Sequence, residues 1–281
     1  MADTVEFLDG RRHVPTASSV LVSSSRWLNE PRIRDWITTE CLRRNGADHP
    51  LVDDLGSLVA AIDRVRDRDH VDRLIQAERR ANPALDRWFA DRFISTYSVA
   101  DLGEYAPGSL GRQLHDQMLR LDLTLELLPQ RREDPNWAPA ADLDYFTLRT
   151  GQAHDFDHLI GEVGFDAVAE AFTAGLRSGN MFAHVGADLA GELLVTNTLV
   201  TFPWLFRTML HYPQAWPQLW HNFSHGYEVG AQSACLFTVR WEDYLHLTPA
   251  DAREALGVRG FRGANDSSAA SLVFGEGRLI F

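Results

Sequence analysis

Apolar residues return at spacings of three and four, with charges between them, in "LVDDLGSLVAAIDRV" (51–65) and in "HVDRLIQAERR" (70–80), the pattern of helices that bury one face. Asn82 and Pro83 punctuate the chain before "ALDRWFADRFIST". In "YAPGSLGRQLHDQMLRLDLTLELL", Pro107 and Gly108 precede Ser109, an N-cap residue, and apolar positions then follow at Leu110, Leu114, Met118, Leu121 and Leu125. This predicts a long helix that stops near Pro129. A charged, proline-containing loop is expected over 129–140, and further helices at about 141–160, 165–178, 184–210, 214–245 and 248–256. Residues 1–28 have no helical period and read as irregular or extended, and the Gly- and Ser-rich tail from Gly257 returns to a strand-like ending. The expected fold class is mainly α: a single-domain, helical bundle-like fold with short extended segments at the N- and C-termini.

Composition narrows what such a fold can do. A chain of 281 residues can bury a substantial core. The net charge of -12 and pI near 5.3 argue against a nucleic-acid partner, because phosphate backbones are bound mainly by clustered Lys and Arg. All 27 basic residues are arginine, which removes Schiff-base chemistry and the Walker lysine together. Cys41 and Cys235 lie far apart, match no redox or zinc-finger spacing, and read as reduced thiols of a cytosolic protein. No secretory signal is visible at the N-terminus. The longest greasy stretch, "LLVTNTLVTFPWLF" (193–206), is interrupted by Thr, Asn and Pro and falls short of the ~20 residues that span a bilayer. The expectation is a cytoplasmic protein, soluble or peripheral on the inner face of a membrane.

Candidate chemistry concentrates in "QAHDFDHLIG" (152–161). On a helix, His154 and His158 stand one turn apart on one face, with Asp155 about 100° to one side and Asp157 about 60° to the other. Two imidazoles at i and i+4 can grip one divalent cation, and an adjoining carboxylate supplies charge. Gly161 and Gly164 interrupt the helix, and "FDAVAEAFTAG" starts another whose Glu170 can turn back toward the pair. The same spacing also fits a solvated helix face opposite buried Phe156, Leu159 and Ile160, so spacing alone leaves both readings open.

Other polar residues compete. His115 and Asp116 repeat a His-Asp pair and raise a metal hydrolase of HD type; the alternative is the polar side of an amphipathic helix. His184, His211, His221 and His225 are scattered and fit structural or surface roles, while Tyr227 and Glu228 are candidates to approach a cavity. The Trp and Phe residues between 202 and 223 fit either a core or a greasy channel for a prenyl tail.

Several ordered landmarks carry a resemblance. "HDFDH" followed by eleven residues and Glu170, with Gly161 after the second histidine, is similar to the H-D-x-x-H…E pattern of the coenzyme Q biosynthesis protein 4 family. "APGSLGRQLHDQM", "HGYEVG" and "VRWEDYLHLTPADAREALGV" resemble further segments of that family in the same order. The resemblance covers about residues 51–258, leaving 1–50 as an N-terminal extension and 259–281 as a C-terminal tail. It implies a helical protein of ubiquinone biosynthesis with a zinc or iron ion held by His154, Asp155, His158 and Glu170. The activity it implies is oxidative decarboxylation of a prenylated hydroxybenzoate-type ring, with His154, Asp155 and Asp157 as the catalytic candidates. A scaffold role, with lipid bound and a structural metal, is the alternative. The partners it implies are a prenylated aromatic lipid, other quinone-biosynthesis proteins, a membrane surface and a second copy of the chain. Asp157 departs from the family, which usually has an aromatic residue there; its carboxylate can ligate, carry protons or face water. A hydrophobic pocket built from Leu193–Trp220 and leading to the metal is expected.

Overall fold

The computed structural model describes residues 22–42, 52–121 and 139–274. Fifteen α-helices and no β-strand occur among the described residues, and one isolated parallel bridge joins Val163 to Asn265. In chain order the helices are α1 (Arg26–Asn29), α2 (Pro31–Leu42), α3 (Val52–Val65), α4 (Arg68–Ala81), α5 (Pro83–Asp91), α6 (Val99–Leu102), α7 (Leu110–Leu121), α8 (Asp142–Gln152), α9 (His154–Gly161), α10 (Glu170–His184), α11 (Ala187–Leu193), α12 (Val195–His211), α13 (Trp216–Gln232), α14 (Pro249–Ala255) and α15 (Ser268–Ser271). The expected mainly α class is what is found. The strand-like ending, most of the irregular N-terminus and the stretch of α7 toward Pro129 lie outside the described residues.

Helices α10 and α13 form the spine. Gly175 and Gly179 on one, and Gly226 and Gly230 on the other, sit against the partner helix so closely that a Cβ at any of the four would overlap a carbonyl oxygen, of Phe223, Tyr227, Phe172 or Leu176. Backbone therefore packs on backbone, the close approach that only glycine permits. Around this spine, Leu114 and Met118 of α7, Phe156 and Ile160 of α9, Phe172 and Leu176 of α10 and Trp241 make one buried cluster, with Phe156 stacked on Trp241 at 5.0 Å between centroids. Each such side chain contributes about 1.5–3 kcal/mol by leaving water. A second cluster joins Val71 and Ile75 of α4, Leu85 and Phe89 of α5, Tyr145 and Phe146 of α8, and Met181 of α10.

The N-terminal extension is built into this body where it is described. Ile33 and Trp36 of α2 pack with Leu58 and Ile62 of α3 and Leu199 of α12, and Trp36 Nε1 donates to the Leu199 carbonyl at 3.0 Å. The expected cap at Ser109 is present, its hydroxyl accepting the Arg112 N–H at 3.3 Å.

Four boundaries differ from the pattern-based expectation. The single helix over 141–160 is broken at Ala153 into α8 and α9. The helix expected at 165–178 starts only at Glu170, because the Asp166 carboxylate takes the N–H groups of Val168 and Ala169 in a preceding turn. The stretch 184–210 divides into α11 and α12, bent by 72°. The helix expected to reach 245 stops at Gln232, where the Asn180 side chain bonds the Gly230 and Ala234 carbonyls and the Leu236 N–H in place of the helical ladder. No single helix among the described residues is long and apolar enough to cross a membrane.

Candidate metal centre

Local breaks in α-structure bring the ligands together. Helix α9 begins directly after Ala153 and ends at Glu162, whose left-handed φ of 44° turns the chain out of the helix. The loop 163–169 then reverses direction, with the Val163 N–H bonded to the His158 carbonyl and Asp166 organising the entry to α10. Glu170, the first residue of α10, consequently faces back onto α9. Gly161 fits this crossing because a Cβ there would run into the Phe172 ring.

His154, His158 and Glu170 offer ligand atoms that all lie within 4.8 Å of one another. His158 Nε2 is 2.9 Å from Glu170 Oε1, His154 Nε2 is 3.3 Å from Glu170 Oε2, and the two Nε2 atoms are 3.4 Å apart. His158 is fully buried, stacked on Phe165, and its Nδ1 bonds the Gly164 carbonyl at 2.8 Å. Glu170 is buried as well, and its carboxylate also receives the Thr173 hydroxyl at 3.3 Å. Burial works against a charged carboxylate, but the imidazoles of His158 and His154 outweigh it and hold Glu170 well below the usual carboxylate range. Burial likewise opposes a charged His158, yet Glu170, with smaller help from Asp155 and the Gly164 carbonyl, raises it above the ordinary imidazole value. Two nitrogens and one carboxylate, converging from one side with a second-layer hydrogen bond fixing one ring, fit a divalent cation and leave coordination positions open.

The two aspartates are not among these converging atoms. Asp155 lies outside this group of converging atoms; its charge acts on Tyr97, whose hydroxyl burial, Glu242 and Asp155 together push upward. Asp157 is buried and its carboxylate is engaged by Arg177 Nε at 2.7 Å. Arg177, absent from the sequence-based candidates, was detectable by two signs: it lies on the Glu170 face of α10, and the buried Asp157 needs a counterion.

The remaining candidates are not brought to the site. His115 bonds Asp116, which pairs with Arg112 on α7, and neither joins a group of converging ligand atoms among the described residues. His184 bonds the Ser233 carbonyl and His211 the Cys41 carbonyl, both as structural ties. His225 is buried between Phe172 and Phe261, and that burial lowers its basicity. Glu228 pairs with Arg262 at the surface, and Tyr227 is exposed; neither lines the cavity described next.

A cavity of about 980 Å3 opens beside the triad. Its lining includes His154, Asp157, Glu170, Thr173 and Arg177 together with Leu143, Phe146, Met181, Leu194, Val200 and Trp204, and further charged side chains at Glu40, Asp63, Arg66, Arg68 and Asp144. From Glu170 to Met181 the wall runs about 16 Å along α10. Part of the expected 193–220 pocket is therefore real, but Phe202, Phe206, Met209 and Leu210 point outward, each half exposed or more.

Fold and site thus define a mainly helical protein in which a His-His-Glu group that could hold a metal ion borders a cavity. No protein-family model matches the sequence, and no curated protein matches it. Among solved structures the chain is similar to a "Putative ubiquinone biosynthesis protein" from Nostoc punctiforme PCC 73102, with TM-score 0.55 and 19% identity over 81% of this chain and 95% of that one. At that identity the likeness is one of fold.

Proposed function

We propose that this chain acts in ubiquinone biosynthesis as a metal-dependent protein that binds a prenylated hydroxybenzoate-type ring, head at the triad and tail in the apolar cavity. The observation that carries the reading is that His154 and Glu170, which with His158 form a group that could hold a metal ion, line a cavity large enough for an amphiphile. The fold likeness and the ordered motifs in "HDFDH", "APGSLG" and "VRWEDY" support the same reading.

The reaction is oxidative decarboxylation: the ring carboxyl leaves as carbon dioxide, the oxygen of a water takes its place as the hydroxyl, and dioxygen accepts the two electrons and two protons as hydrogen peroxide. Bound iron would supply one-electron chemistry toward oxygen, which zinc lacks; the two-histidine, one-carboxylate set suits either ion. The chain's own part is to keep both imidazoles oriented, exclude water around His158 and hold Asp155 close enough to tune the charge. The outward face of α12, with Phe202, Phe206, Met209 and Leu210 at helical spacing, supports a peripheral position on a membrane from which such a lipid is drawn.

Metal analysis of the purified protein, mass spectrometry of co-purifying lipid, and aerobic incubation of iron- and zinc-loaded protein with a farnesyl-substituted para-hydroxybenzoate test the proposal together. Carbon dioxide release and a new ring hydroxyl are expected with one of the two metals. Folded, metal-loaded protein that neither carries lipid nor turns the probe over overturns it. Lipid binding without turnover by either form moves the assignment to the scaffold role.

A further inference from the structure

Helix α10 presents Glu170, Thr173, Ala174, Arg177 and Met181 to the cavity, residues that share one helical face. Arg177 stands two turns from Glu170, about 10 Å along the axis. Its guanidinium is held at two points: Nε donates to Asp157 Oδ2 at 2.7 Å, and Nη2 donates to the Thr150 carbonyl at 2.6 Å. Nη1 meets no acceptor among the described residues, and the side chain keeps about a quarter of its surface accessible (26%).

The hydroxyl and amide groups beside Arg177 are already engaged. The Thr173 hydroxyl bonds the Glu170 carbonyl, that of Thr150 the Phe146 carbonyl, and that of Thr147 the Leu143 carbonyl. Both donor and acceptor of the Asn180 amide are engaged by backbone, and the Asn197 amide donates to Ala174 and Ser178. Arg66 and Arg68 also line the cavity, but Arg66 bonds the Glu192 carbonyl and Arg68 pairs with Asp144; on the helix that carries Glu170, Arg177 is the cation that keeps free N–H groups. Asp157 and Thr150 restrict the swing of the side chain, so little rotamer freedom remains to be lost on binding.

From this geometry we infer that Arg177 is a specificity residue that takes a carboxylate on the head group of the cavity's ligand, with Asp157 as the positioning residue that aims it. The ligand class is an amphiphilic carboxylate whose acid group Arg177 takes at the cavity wall, on the helical face that also carries Glu170. The inference deepens the proposed function and rests on its placement of the head, but it needs only an acid head and an apolar tail, not the aromatic ring. Asp157 thereby gains a role in place of the aromatic residue that the family resemblance leads one to expect there.

The test is isothermal titration of the zinc-loaded full chain with two matched pairs of probes: a farnesyl-substituted para-hydroxybenzoate against the farnesyl phenol lacking the carboxyl, and palmitate against hexadecanol. A charge-assisted, two-pronged contact gives the wild type a preference for the acid of roughly ten- to a hundredfold. Arg177→Gln removes the preference while leaving metal content and affinity for the neutral partner unchanged. Because a lone Asp157 can destabilise the fold, the neutral pair Asp157→Asn with Arg177→Gln is measured beside it and gives the same loss. If palmitate shows the Arg177-dependent preference while neither aromatic probe binds, the arginine assignment stands and the prenylated-ring reading falls. An acid preference that survives in a folded, metal-loaded variant, no preference in the wild type, or no binding of either acid overturns the inference.

Discussion

His158 Nε2 lies 2.9 Å from Glu170 Oε1, while Nδ1 of the same ring lies 2.8 Å from the Gly164 carbonyl oxygen. A carbonyl only accepts, so Nδ1 carries a proton, and Nε2 is the nitrogen that titrates against the carboxylate or meets a cation. The ring is thus oriented from outside the ligand group, by a loop that also sets the start of α10.

About one divalent cation per chain is expected in the purified protein, and a His154→Ala, His158→Ala double variant is expected to lose it. Elemental analysis by plasma mass spectrometry checks this. Equal metal in the two proteins would sink the assignment.

Metal removal should expose the proton linkage of the triad. Without metal, protonated His158 compensates the buried Glu170. The folded-state basicity of His158 is raised, so this stabilisation is full below the ordinary value of about 6.5 and is lost as pH climbs through the raised one. Glu170 has the opposite sign: its folded value is depressed, so its contribution is present above about 4.5 and fades as pH falls toward its folded value. Metal displaces the His158 proton, so affinity for the cation rises over the same range in which the metal-free protein weakens. Melting curves with and without chelator from about pH 5.5 to 8.5 should diverge as pH rises; a constant gap between them would contradict the linkage.

Legibility in the sequence divides by the range of the interaction. The His154 and His158 pair could be read because the i, i+4 relation is local to one turn, and α3, α4 and α7 could be read because their apolar positions keep a helical period. The break at Ala153 carries neither Gly nor Pro at the break itself and has no such local sign. Asp155 and His154 are equally adjacent in sequence to the motif, yet about 100° of helix rotation sends them to different surroundings. Arg177 is twenty residues from Asp157, and only the fold makes them partners. The Gly- and Ser-rich tail reads as an appendage, whereas its described part bonds back to Asp166.

That tail contact gives a third prediction. The Asp166 carboxylate accepts from the Val168 and Ala169 N–H groups and from the hydroxyls of Ser267 and Ser271. Asp166→Ala should cost about 1–2 kcal/mol, as lost helix-entry caps do. It should also weaken the metal by about tenfold or more, because Glu170 begins the helix that Asp166 sets. Chelator competition and denaturant melts measure the two effects, and a variant with unchanged metal affinity would show that the tail supports the fold alone.

Substitution at the helix crossing should be severe. Gly226→Ala places a methyl into the Phe172 carbonyl, with backbone rather than a flexible side chain in the way, and is expected to cost about 3 kcal/mol or more. Gly191→Ala, at an open position of α11, should instead stabilise by about 0.5–1 kcal/mol. Urea melts of the two variants compare them directly; similar midpoints would mean that the spine yields.

The glycine crossing also gives the cavity two walls of different character. One wall, α10, carries Glu170 and Arg177 and is fixed by main chain lying on main chain. Another, α12, meets the space through side chains that include Val200 and Trp204. On the proposed function, a longer or shorter ligand tail is met by side chains of α12 and a different head by positions 157 and 177. The two traits can diverge independently in descendants of this chain.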